Sequence, residues 1–139
     1  MAFQPQAKLL TKIEDLYLSQ SLAPELTTNN LGLIKGYTLR NPRIGVGIDS
    51  EDLVGLVLDI KVIQTILKWL FDSKIAPNGT YGGYTAYYIN KFKGKVGFEE
   101  DGVVDSRTFN GLKDELVKLH SSRLALAGGQ KRKSGQIAL

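Results

Sequence analysis

The 139-residue sequence has no cysteine and a single histidine, His120. The first absence excludes a disulfide framework and thiolate chemistry. Together they leave no zinc set of the usual kind and no Cys–His pair, so neither a metal nor a cofactor is implied. No window approaches the roughly 18 consecutive apolar residues that a spanning helix needs, and no membrane partner is expected. The opening MAFQPQAKLLTKIEDLYL lacks a basic region followed by a long apolar run, so it does not read as a Sec signal. Acidic side chains are missing after Glu115, where Lys118, Arg123, Lys131, Arg132 and Lys133 follow. The net charge of +4 therefore resides in the C-terminal tail, and the first 115 residues carry 13 bases against 14 acids. A nucleic-acid-binding core carries its own basic face, and no aromatic residue interleaves with the Lys131–Lys133 run, so nucleic acid is not an expected partner.

What is present suits one globular domain with extensions: 42% hydrophobic and 23% charged residues. Residues 5–22 read as an amphipathic helix, because Leu9, Leu10, Ile13, Leu16 and Tyr17 recur at spacings of three and four. It packs either on its own domain or on a partner subunit. Residues 23–49 are rich in Gly, Pro and Asn. They read as an irregular arm or binding loop with short strands at Leu31–Ile34 and Arg43–Val46, ordinary packing against the core being the alternative. Ser50 is expected to cap a helix running to about Asp72. That helix is apolar on most of its circumference and should be buried on more than one side.

The next stretch says one thing twice. Asn78-Gly79-Thr80-Tyr81-Gly82-Gly83-Tyr84-Thr85 precedes one apolar helix, and Asp101-Gly102-Val103-Val104-Asp105-Ser106-Arg107-Thr108 precedes another, at an offset of 23 residues. Asn-Gly and Asp-Gly mark tight turns. The first helix is expected over Thr85–Phe92, with Lys93-Gly94-Lys95 and Gly97 ending it and Phe98 plugging the core. Asp105 should cap the second, which runs to about Leu119. Thr85 and Thr108 fall where a hydroxyl can serve first-turn backbone groups. Beyond Ser121 the composition is that of a segment with no structure of its own unless a neighbour holds it.

From Asp59 to Leu116 this pattern resembles the three-helix peptidoglycan-binding domain found beside many cell-wall hydrolases. Ile60, Ile63, Gln64 and Leu67 fit its first helix. Asn78, Gly79, Tyr81, Gly82 and Thr85 fit its first turn, and Ile89, Phe92, Gly97 and Phe98 its middle. Asp101, Gly102, Val103, Val104, Thr108, Phe109 and Leu112 complete it. The chain departs from the family pattern at Tyr88 (usually Ala), Lys93 (usually Gln) and Asp105 (usually Gly). The resemblance implies a mainly α fold, a three-helix bundle at residues 51–120. To it are added an N-terminal helix and irregular arm (1–50) and a basic C-terminal tail (121–139).

Candidate chemistry is sparse. Glu99-Glu100-Asp101 are adjacent in a loop with no apolar pocket to raise one pKa, and Asp101 is explained by its turn, so no catalytic residue is assigned. Asp49, Glu51 and Asp52 mark a helix start and lack the spacing of a calcium loop. Tyr84 and Tyr87, one helical turn apart, are expected on an outer face, with Tyr81 in the turn and Arg107 at the equivalent place in the second copy. Such a set can stack on a sugar and bind its hydroxyls or a carboxylate, or can anchor a protein interface. The expectation is a non-catalytic structural subunit of a phage virion or phage-tail-like assembly, homo- or hetero-oligomeric and assembled in the cytoplasm. Peptidoglycan is its candidate ligand. The alternative is a free wall-binding protein or a lysis accessory that targets a hydrolase to the wall.

Overall fold

The computed structural model describes residues 25–71 and 74–136, with side chains described as far as residue 126. The helix expected over residues 5–22 lies outside the described residues. In chain order the elements are α1 (Thr28–Lys35), β1 (Arg43–Ile44), α2 (Leu53–Phe71), α3 (Gly83–Val96), β2 (Val104–Asp105) and α4 (Ser106–Gln136). The fold is mainly α: α2, α3 and α4 form a three-helix bundle, and α1 lies along α4.

The strand expected at Leu31–Ile34 is instead part of α1. Thr27 caps it by accepting the Asn30 N–H at 3.1 Å, and the Asn30 amide returns to the Glu25 carbonyl at 2.8 Å. Leu31 and Ile34 stand three apart, share one helix face and are both buried. Of the second expected strand only Arg43–Ile44 forms, pairing antiparallel with β2 in the register Arg43–Asp105 and Ile44–Val104. The chain then turns away through Gly45–Ile48.

Residues 37–41 take the ordinary-packing alternative, and Asp59 on α2 is the reason. Its carboxylate, wholly buried, accepts from the Tyr37 hydroxyl at 2.5 Å, the Arg40 N–H, the Asn41 N–H and the Asn41 side-chain amide, the last three at 3.0–3.1 Å. A buried charge is tolerable only when its lone pairs are filled, and here they are. Ser50 does not cap α2. Its hydroxyl donates to the Asn41 side-chain oxygen, and it is Asp52 that accepts the Gly55 N–H at 2.9 Å. The helix accordingly begins at Leu53.

The later turns of α2 are buried on several sides, as their composition requires: Ile60, Val62, Ile63, Ile66, Leu67 and Trp69 are all core residues. Its first turns are not, and Leu53, Val54 and Val57 are exposed. Phe109, Leu112 and Leu116 of α4 meet this core, and Phe109 takes the Tyr37 ring edge-on at 6.2 Å. Gly111 is a close-approach position, because a Cβ there would sit 3.2 Å from the Phe92 ring. α3 is longer than expected and ends at Gly97, whose φ of 83° is the left-handed cap that glycine adopts freely. α4 passes the expected end near Leu119 and continues unbroken to Gln136, so the basic tail is helical over most of its length.

Candidate functional site

The two turns that start α3 and α4 are built alike. Gly79 and Gly102 both have positive φ, 82° and 71°. In each, the preceding side chain folds over the turn: Asn78 Oδ1 accepts the Thr80 N–H at 2.9 Å, and Asp101 Oδ1 accepts the Val103 N–H at 3.0 Å. Each turn is also pinned to the helix before it. Gln64 of α2 pins the first, its Oε1 accepting the Gly79 N–H at 3.0 Å. Its amide nitrogen faces Asn78 Oδ1, the Thr80 carbonyl and the Thr85 hydroxyl at 3.0–3.1 Å. In the second, Asn90 Oδ1 accepts the Gly102 N–H at 2.7 Å, while Lys93 pairs with Asp101 at 2.5 Å.

That pair holds the Asp101 carboxyl below its usual range, with the Val103 N–H assisting. The Thr108 N–H does the same for Asp105, which caps α4 at 2.9 Å as expected. Gly82, at the matching place in the first copy, offers no side-chain cap. Thr85 directs its hydroxyl to Gln64 rather than to the backbone.

Tyr81 joins the two turns. Its hydroxyl donates to the Gly102 carbonyl at 2.7 Å, and burial followed by the nearby Asp101 charge pushes its pKa upward. It is half-buried and occupied, so it is part of the scaffold and not of an open surface.

Tyr84 and Tyr87 face outward, 52% and 58% exposed, on the first turns of α3. Both rings stand edge-on to Tyr88, at 5.2 and 5.1 Å. Tyr88, where the family pattern has Ala, is half-buried and leans on Phe71 at 5.5 Å, so the larger ring is accommodated at the edge of the core. Lys91 brings its ammonium to 5.6 Å from the Phe71 ring and 5.9 Å from the Tyr88 ring. The result is a face of stacked rings beside one cation. Sequence reasoning missed Lys91, although it stands four residues after Tyr87 and three after Tyr88, on the same side of the helix.

Arg107 does not join this face. Its guanidinium covers the Phe98 ring at 3.8 Å, and Phe98 in turn meets Phe92 edge-on. Phe98 follows the C-terminal cap of α3, whereas Tyr84 and Tyr87 lie on its first turns. At 1.5 Å per residue the two groups are separated by on the order of 10 Å or more along the axis. Phe98 is half-buried and covers the end of the core instead of filling its middle.

A shallow recess of about 270 Å³ lies between α1 and α4, lined by Lys35, Asn110, Lys113, Asp114 and Val117. Lys113 is already committed there to the Lys35 and Tyr37 carbonyls, at 3.1 and 3.0 Å, and burial lowers its pKa. Among the described residues, no group of three His, Cys, Asp or Glu could hold a metal ion, and no helix is long and apolar enough to cross a membrane.

Residues 58–112 match the family model described as "Putative peptidoglycan binding domain". The match spans less than half of the chain but takes in α2 from its second turn, both pinned turns and the first part of α4. Over these residues the helical module is similar to that family. No match is found among curated proteins or among solved structures.

Proposed function

We propose that the protein is a non-catalytic peptidoglycan-binding component, and that Tyr84, Tyr87 and Lys91 make the contact. The observation that carries this is the exposed, edge-stacked tyrosine face beside a cation, held on a helix whose other side is core. Tyr rings supply flat apolar faces for sugars and hydroxyls for their oxygens. The Lys91 ammonium suits the carboxylates of wall peptides. The acidic loop suits catalysis poorly. Asp101 is kept ionised by Lys93, whereas a general acid needs a raised pKa.

The setting we infer is a subunit of a phage virion or phage-tail-like particle. Its support is the exposed apolar set Val46, Leu53, Val54 and Val57, outside the tyrosine face, which suits a neighbouring subunit. A free wall-binding protein or lysis accessory is the reading favoured by the family match alone.

Sedimentation with purified sacculi tests the binding. Wild type should co-sediment, and Tyr84→Ala/Tyr87→Ala should weaken binding by about tenfold or more while leaving the melting temperature nearly unchanged. Arg107→Ala should bind as wild type does. Failure of the wild-type protein to sediment would sink the glycan reading. A monodisperse monomer at high concentration, with Val54→Asp no different, would count against the particle.

A further inference from the structure

Asx-Gly pairs occur at Asn78-Gly79, Asp101-Gly102 and Asn110-Gly111. Such a pair can modify itself with water as the only reagent. The glycine nitrogen, once deprotonated, attacks the side-chain carbonyl carbon before it, and glycine has no Cβ to obstruct the approach. The three pairs are not equivalent here. Asn110-Gly111 lies inside α4, where the helix directs the side chain away from the next nitrogen and commits the Gly111 N–H to its ladder. Asp101 is paired with Lys93, which keeps it ionised, and a carboxylate is a poor electrophile.

Asn78 is the pair that is set for reaction. Its side chain is exposed, so water reaches it. Its Oδ1 accepts the Thr80 N–H at 2.9 Å, and that bond folds the side-chain carbonyl back over the Gly79 peptide. Gln64 Nε2 stands 3.1 Å from the same oxygen. Two N–H donors on one carbonyl oxygen draw charge from Cγ and hold the oxyanion that forms on attack. Only the nucleophile is withheld. The Gly79 N–H is buried and donates to Gln64 Oε1 at 3.0 Å, and Gln64 is itself 1% exposed. A proton held in a buried bond is out of reach of solvent base until that bond opens.

We propose that Asn78-Gly79 is a deamidation site that Gln64 both primes and locks. When the turn opens, solvent base removes the Gly79 amide proton and the nitrogen bonds to Asn78 Cγ. The Cγ–Nδ2 bond then breaks, ammonia leaves with a proton, and a five-membered succinimide remains. Water adds to one of the two ring carbonyls and cleaves its bond to nitrogen, which regains a proton. One cleavage gives aspartate at position 78, the other isoaspartate. The isoaspartate product carries the main chain through Cγ, so the turn that starts α3 cannot reclose in its present form.

The test uses the full chain in mildly alkaline buffer well below its melting temperature, with conversion at positions 78 and 110 read by peptide mass spectrometry. Asn78 should convert about tenfold or more slowly than the same bond in a synthetic peptide of residues 74–85. Hydrogen exchange of the Gly79 amide reads the same opening, so its protection should match that slowing to within about tenfold. Gln64→Ala should speed conversion at Asn78 by about tenfold or more, with Asn110 no faster than in wild type. Wild-type Asn78 converting as fast as the peptide would overturn the proposal. So would slowing that departs from the Gly79 protection by orders of magnitude, or a Gln64→Ala chain in which both Asn78 and Asn110 stay slow.

Discussion

In the first turn one side chain does two jobs: Gln64 accepts the Gly79 N–H and donates to Asn78. In the second, Lys93 stands at the family's Gln position, and an ammonium has no acceptor to offer. The work is divided. Lys93 takes the Asp101 carboxylate, and Asn90, one turn earlier on α3, accepts the orphaned Gly102 N–H. The two solutions reach the same backbone, with left-handed glycine and folded-over Asx side chain, by neutral and by ionic means. A turn of this kind thus requires a satisfied glycine N–H and a partner for the Asx oxygen, and leaves open which residues supply them.

The comparison breaks most severely at Gln64. Gln64→Ala removes the partner of the buried Gly79 N–H and of the buried Thr85 hydroxyl and should cost about 3 kcal/mol, read from urea unfolding. Gln64→Lys/Asn78→Asp imports the second turn's ionic half alone. It should recover only part of the loss, because Gly79 still lacks an acceptor. Asn90→Ala should cost less, about 1–2 kcal/mol, since it removes one acceptor from a half-buried site.

The smallest effect is on pH dependence. Asp101 and Asp105 have lowered folded pKa values, so their contribution is present above the ordinary carboxylate range and is lost as pH falls through the folded values. The amide resonances of Val103 and Thr108 should shift as pH drops below about 4, while that of Thr80, held by a neutral amide, should not. Parallel titration of both turns would erase the distinction.

Much of this was legible before any coordinates. The doubled Asx-Gly turn, Gly97 at the end of α3 and Asp105 as an N-cap follow from local chemistry that spacing reports directly, and the three-helix bundle follows from the family resemblance. α1 was hidden because Gly32 interrupts its apolar spacing and its cap, Thr27, lies among polar neighbours that also suit a loop. The Asp59 hub was hidden because its partners come from residues 37–41, about 20 positions away, and no periodicity encodes such a contact. For the candidate site, the outward placement of Tyr84 and Tyr87 was readable from helical phase. The separation of Arg107 was not: repeat symmetry makes it equivalent to Tyr84 in sequence while placing it at the opposite end of α3.

The Tyr81 hydroxyl on the Gly102 carbonyl makes the two halves of the module mechanically interdependent. Loosening the second turn withdraws the acceptor from a half-buried phenol that sits just before the start of α3, and Tyr84 lies three residues further on. The exposed Tyr84 and Tyr87 rings would thus sense acidity at second hand: protonation of Asp101 and Asp105, on the far side of the shared contact, slackens the footing on which those rings stand.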